Sequence, residues 1–202
     1  MVAAGEAGAP APRGDGDVEA GPPRGDGGTD AARLVADHVV DVPDFPLPGI
    51  VFKDLTPLFA DGPAFAAVVD EIVTRYGSGG FDVVAGIEAR GFMLAAAVAY
   101  ASGVGVVGVR KAGKLPRATF RETYALEYGE ATLEVHTEAF LPGQRVLVVD
   151  DVLATGGTAA ATINLVARTG GVVCGFTVLL ELSFLSGRER LKPRPVHALL
   201  TV

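Results

Sequence analysis

The feature that most constrains this chain is a rhythm of short apolar runs separated by segments of helical spacing. Asp82–Gly86, Val104–Val109, Arg145–Val149, Val172–Glu181 and Pro195–Val202 are apolar runs of strand length and too continuous to be half exposed. Between them lie Ala31–Val40, Gly91–Ser102 and a segment from about Thr158 to Arg168, all with helical spacing. A further helix opens at Asp61 and Pro63, an N-cap and first turn, and runs to about Tyr76. Strands alternating with helices require crossover connections. The expected fold is therefore α/β, with a mainly parallel central sheet flanked by helices. Two segments depart from the rhythm. Pro43, Pro46, Pro48 and Gly49 predict an irregular loop, and Thr123–Val135 alternates like a hairpin turning near Tyr128–Gly129.

Residues 1–30 have no such rhythm. They are mostly Gly, Ala, Pro and Asp, and their six acids and two arginines carry −4 of the net charge of −7. Such a segment cannot bury enough apolar surface to offset its ordering entropy. The expected organisation is a disordered tail over 1–30 and one folded domain over 31–202. The two Arg-Gly-Asp triplets, at Arg13–Asp15 and Arg24–Asp26, are read as products of this biased composition. The acidic balance argues against nucleic acid as a partner. The apolar stretches break well short of ~20 residues, so no membrane span is expected. The N-terminus lacks a basic segment followed by an apolar one, so no secretory leader is expected. Cys174 is the one cysteine. It sits in an apolar run, reads as an inert buried thiol and fits a reducing, cytoplasmic setting.

Several look-alike motifs lack the context that their chemistry needs. Gly103, Gly105 and Gly108 match a dinucleotide fingerprint, but they follow a helix and lie in a strand. Gly108–Lys114 approaches a P-loop, but Leu115 stands where a hydroxyl must bind magnesium. His38, His136 and His197 show no metal-ligand spacing. Met93–Ala101 reads as ordinary core.

Val146–Thr158 is different. An apolar strand runs straight into Asp150 and Asp151, then into a small Gly- and Thr-rich turn, then into a helix. Gly156 and Gly157 let the backbone approach a ligand closely. Unpaired N–H groups at the helix start, with the Thr155 and Thr158 hydroxyls, form a phosphate cradle. Like charge keeps Asp150 and Asp151 off that phosphate. They suit ribose hydroxyls, or a magnesium ion travelling with the substrate. A phosphate beside vicinal hydroxyls describes a phosphorylated ribose.

This thirteen-residue run resembles the phosphoribosyl pyrophosphate (PRPP) signature of type I phosphoribosyltransferases. Phe45–Asp54, Gly86–Phe92, Arg110–Pro116 and Tyr124–Gly129 resemble the adenine phosphoribosyltransferase family, and the likeness spans roughly residues 33–202. The resemblance implies a type I fold with a small hood and a mobile loop, the latter over 111–123. It implies transfer of the phosphoribosyl group from PRPP to adenine, giving AMP and pyrophosphate, with Mg2+ carried on PRPP. Ala154, Thr155, Gly156, Gly157 and Thr158 would hold the 5′-phosphate. Asp150 and Asp151 would serve the ribose. Arg90, Arg110, Lys111 and Lys114 would hold pyrophosphate, partly across a homodimer interface. Glu127 would either accept the purine proton or stabilise positive charge at the sugar. Phe52 would stack on the base, with Val51 and Lys53 reading it through main-chain groups; Lys53 stands where the family often has Arg. Two alternatives remain open: the same chemistry on another purine, and a PRPP-sensing regulator without turnover.

Overall fold

The computed structural model describes residues 27–125 and 129–202. The expectation for residues 1–26, and the role given to Glu127, fall outside the described residues. Helix α1 (Gly27–His38) opens the described chain. Asp30 lies in its first turn, where an acid complements the helix dipole.

The proline-rich segment is more ordered than its composition predicts. Strands β1 (Val40–Pro43) and β2 (Val51–Asp54) pair antiparallel, with Asp41 opposite Lys53 and Val42 opposite Phe52. Pro46 and Pro48 fall in the connection, where a missing N–H breaks no ladder. This hairpin stands apart from the main sheet as the small hood. A short helix α2 (Thr56–Ala60) follows, then α3 (Gly62–Tyr76). The Asp61 carboxylate caps α3 by accepting the Ala64 N–H at 2.9 Å.

The main sheet has seven strands: β3 (Val83–Ile87), β4 (Gly105–Lys111), β5 (Thr119–Ala125), β6 (Glu130–His136), β7 (Arg145–Leu153), β8 (Val172–Glu181) and β9 (Val196–Thr201). Their spatial order is β5-β6-β4-β3-β7-β8-β9. Neighbours from β4 through β9 run parallel, and the β5–β6 hairpin joins β4 antiparallel through Arg110 and Lys111. Helices α4 (Gly91–Ser102) and α5 (Gly157–Arg168) supply crossovers. Two 3-10 turns, Ser183–Leu185 and Gly187–Leu191, lead into β9.

Alternation along β7 shows how the sheet is buried on both faces. Leu147 and Val149 join a core with Val35, Leu58, Ile72, Leu94 and Val98, from α1 through α4. Val146 and Val148 face the other way, into a core with Ile163, Leu165, Val166 and Phe176. Period-two alternation between two apolar layers explains why the sequence reads as continuously hydrophobic.

Two boundaries differ from expectation. Strand β7 does not stop at Val149 but runs through both aspartates to Leu153, because Val152 and Leu153 continue the ladder with Leu180 and Glu181 of β8. The segment expected as a loop over 111–123 is strand at both ends, leaving 112–118 as the connection. Its charged residues concealed the alternation of Phe120, Glu122 and Tyr124. Among the described residues no helix is long and apolar enough to cross a membrane.

Candidate active site

The strands β3, β4 and β7 end on the same side of the sheet, where open α/β sheets bind ligands. A cavity of about 400 Å3 lies there, bordered by Glu88 and Arg90 after β3, Lys111 at the end of β4, Asp150 and Asp151 in β7, and Thr158 in α5. Tyr124 of β5 forms part of its wall. A smaller cavity of about 80 Å3 is wrapped by the turn Ala154–Thr158 and shares Asp150 and Thr158 with the larger one.

The two aspartates occupy unlike environments. Asp151 is buried and forms an ion pair with the Arg90 guanidinium. The Arg90 guanidinium also stands 5.1 Å from the centre of the Phe52 ring, a cation–π geometry. The hood, the end of β3 and the end of β7 are therefore tied together through one side chain. Asp150 accepts the Asp151 N–H at 2.9 Å. Burial, and then the neighbouring Asp151 carboxylate, push its carboxyl well above the usual range; the Asp151 N–H and Arg90 oppose this more weakly. Gly91 makes room for it, since a Cβ there would fall 2.8 Å from Asp150 Oδ1.

The turn after β7 is built as a cradle. Gly156 caps α5 with φ of 79°, a left-handed conformation, and no side chain caps the helix start. A Cβ on Gly156 would lie 2.4 Å from the Gly187 carbonyl oxygen, and one on Gly187 would lie 2.0 Å from that of Ala154. The cradle therefore rests directly on the backbone of the second 3-10 turn. The donor set suits a magnesium ion that arrives on a diphosphate. Among the described residues no three His, Cys, Asp or Glu side chains cluster as a protein-only cage. Two adjacent carboxylates complement an ion that brings its remaining oxygens with it.

The expected residues are not all gathered in one place. Arg90, Lys111, Asp150, Asp151 and Thr158 share the larger cavity, and Ala154, Thr155, Gly156 and Gly157 line the smaller one. Arg110 lines a separate cavity with Phe92, Val106 and His136, and reaches toward Glu88 at 3.4 Å. Lys114 is exposed in the turn after β4. In the hood Phe52 is half buried, while Val51 is exposed. The Lys53 ammonium pairs with Asp41 at 2.6 Å across the hairpin, so its side chain is committed there.

Residues 59–194 match the family model of the phosphoribosyl transferase domain. An adenine phosphoribosyltransferase of Salinispora tropica is 71% identical over 173 residues, spanning 86% of this chain and 92% of that protein. The chain belongs to the adenine phosphoribosyltransferase family. Solved adenine phosphoribosyltransferases share the architecture. That of Rhodothermus marinus superposes with a TM-score of 0.81 at 45% identity, covering 86% of this chain and 99% of that one. That of Saccharomyces cerevisiae, complexed with an imino-altritol bisphosphate and adenine, superposes at 0.80 with 36% identity, covering 85% and 99%.

In this adenine phosphoribosyltransferase fold, sequence reasoning gave no role to two carboxylates beside the site. Glu88 accepts the Lys111 N–H at 2.9 Å and binds the end of β3 to the end of β4. Its signal was present: a charge placed directly after a fully apolar strand. Glu134 had no such signal, because its place in an alternating strand predicts exposure. It is completely buried. Its carboxylate accepts N–H groups from Lys114 at 2.8 Å and Leu115 at 3.0 Å, and Arg121 Nε at 3.1 Å. Burial works to raise its pKa, but N–H groups of Leu115, Lys114 and Gly113, with the Arg121 charge, outweigh it and hold the carboxyl below its ordinary value.

Proposed function

We propose that this chain transfers the 5-phosphoribosyl group of PRPP to adenine, forming AMP and releasing pyrophosphate, a purine-salvage reaction. The bond from ribose C1′ to pyrophosphate breaks, the bond from C1′ to adenine N9 forms, and the N9 proton leaves. The observation that carries this reading is one cavity bordered by Arg90, Lys111, Asp150, Asp151 and Thr158, beside a glycine-lined helix start.

In this reading the α5 cradle, Ala154–Thr158, takes the 5′-phosphate through backbone N–H groups and the Thr155 hydroxyl. Asp150 and Asp151 take the ribose hydroxyls or the Mg2+ that accompanies PRPP, a metal that neutralises charge on the diphosphate. Negative charge grows on the departing pyrophosphate, and Arg90, Lys111, Arg110 and Lys114 are the cations set aside for it. Arg90 exchanges Asp151 for pyrophosphate as substrate enters. Phe52 supplies the stacking face for adenine, with the main chain of Val51 and Lys53 reading its edge. Glu127 takes the purine proton or faces the cationic sugar.

Two copies act together in this proposal. Met93, Tyr100 and Val106 are exposed hydrophobics on α4 and β4, with Tyr100 91% exposed. Arg110 lies on the same strand as Val106. A monomer by sedimentation at micromolar concentration rules the homodimer out. The reaction is assigned to the cytoplasm, since a multiply charged diphosphate crosses no bilayer unaided.

The test is to supply PRPP and magnesium with adenine, hypoxanthine, guanine or xanthine in turn and to quantify nucleotide and pyrophosphate. AMP from adenine alone is expected. Product from another base keeps the PRPP site and removes the assignment of the base pocket. PRPP binding without product from any base makes the chain a sensor.

A further inference from the structure

The β5 strand lies along α5 through alternate residues. The Arg168 guanidinium sits 4.8 Å from the centre of the Phe120 ring. Glu122 accepts a hydrogen bond from Asn164 Nδ2 at 3.0 Å. Tyr124 accepts one from Thr158 Oγ1 at 3.0 Å. Residues 168 and 164 lie one turn apart near the end of α5, and Thr158 lies in its first turn. The hairpin is thus fixed in register, and its last contact falls on the cradle.

Tyr124 is placed closely there. A Cβ on Gly157 would lie 3.0 Å from Tyr124 Cδ2, so a larger first residue of α5 would press the ring outward by a few tenths of an ångström. The ring also borders the 400 Å3 cavity together with Lys111, Asp150 and Asp151. The hydrogen bond from Thr158 uses the phenol oxygen as an acceptor. The phenol proton is thereby left to be donated. An O–H donor beside the open N–H groups of a helix start is a further ligand for an anion already held there.

We propose that Tyr124 is a substrate-contact residue that donates its phenol proton to the 5′-phosphate of PRPP. This rests on the reading of Ala154–Thr158 as the 5′-phosphate cradle. It adds to that cradle a donor borne by the opposite hairpin. Phosphate bound at α5 then holds β5 as well as the loop, so the β5 arm of the hairpin senses the ribose-phosphate end of the substrate.

Tyr124→Phe removes the one oxygen and keeps the ring on Gly157. Titration calorimetry with PRPP and Mg2+ is expected to show Kd raised about tenfold, a loss typical of one charge-assisted hydrogen bond. KM for adenine and the melting temperature should stay as in the parent. Ribose 5-phosphate should weaken as a competitor of PRPP by the same factor, and pyrophosphate should not. A comparison variant, Glu122→Ala, loosens the hairpin one contact away without touching the cavity, and should leave PRPP affinity within twofold. Unchanged PRPP affinity in Tyr124→Phe overturns the proposal. So does a loss confined to pyrophosphate, or an equal loss in Glu122→Ala, which would mean that Tyr124 acts only by docking the hairpin. If the parent protein binds no PRPP, the cradle assignment falls and this proposal with it. If the parent binds PRPP and the variant is indistinguishable, only Tyr124 is wrong.

Discussion

Asp150 and Asp151 are adjacent in sequence and opposite in circumstance. Asp151 is compensated by Arg90, whereas Asp150 is half-buried with a like charge beside it. The same substitution should therefore affect stability differently at the two positions. Asp150→Asn removes a charge that the fold disfavours at neutral pH, so thermal stability is expected to hold or to rise by about 1 kcal/mol. Asp151→Asn leaves the Arg90 guanidinium without its counter-charge, at a cost of about 2 kcal/mol. Both should lower turnover by about a hundredfold or more, because each would take away a proposed ligand for ribose or for substrate magnesium. Melting curves and steady-state kinetics on the pair check this. Full activity in both variants sinks the carboxylate assignment.

The β4–β5 connection is held by one buried carboxylate. Glu134 gathers two backbone N–H groups from the turn and the guanidinium of Arg121 from the facing strand. In Glu134→Gln one oxygen survives, and an amide NH2 now confronts donors. A loss of about 1–2 kcal/mol is expected. Trypsin should also cut faster at Lys114 and Arg117, because the turn is released locally before the domain unfolds. Cleavage at the parental rate would show that the turn is held by something else. This element marks a boundary of what sequence discloses. The strands β3, β7 and β8 were legible because burial on both faces writes a continuous apolar run. The two strands of the hood were not, because four-residue strands among prolines carry too few side chains to set a period. Glu134 was hidden for a related reason: its partners are backbone groups, which leave no mark on residue identity.

For the whole molecule, the closing strand supplies an acid sensitivity. His197 on β9 lies where burial, and then the charges of Arg75 and Arg188, lower its pKa to about 4. Its Nδ1 is buried without a partner. The unfolded chain takes up a proton near pH 6.5, and the fold resists until about pH 4. Stability is complete above pH 6.5 and falls as pH drops through this window, by about 2 kcal/mol. His197→Gln should flatten this part of the stability profile in urea titrations, and an unchanged slope would refute the assignment. On this scale the layout around the cavities was legible. The Val146–Thr158 run foretold a strand carrying both aspartates, a Gly- and Thr-rich turn and a helix, in that order. It did not forecast that Arg90 would join hood, β3 and β7, because that contact unites residues 52, 90 and 151 only after the sheet has formed.

The contact between Gly156 and Gly187 has a practical meaning for anyone who rebuilds this protein. Main chain meets main chain there, and a methyl group on either side has nowhere to go. The segment proposed to hold the 5′-phosphate is therefore one half of a two-part casting, whose other half is made about thirty residues later. Transplanting Val146–Thr158 alone into another scaffold would carry the lettering of the site without its mould; a working graft has to bring the 187 turn along with it.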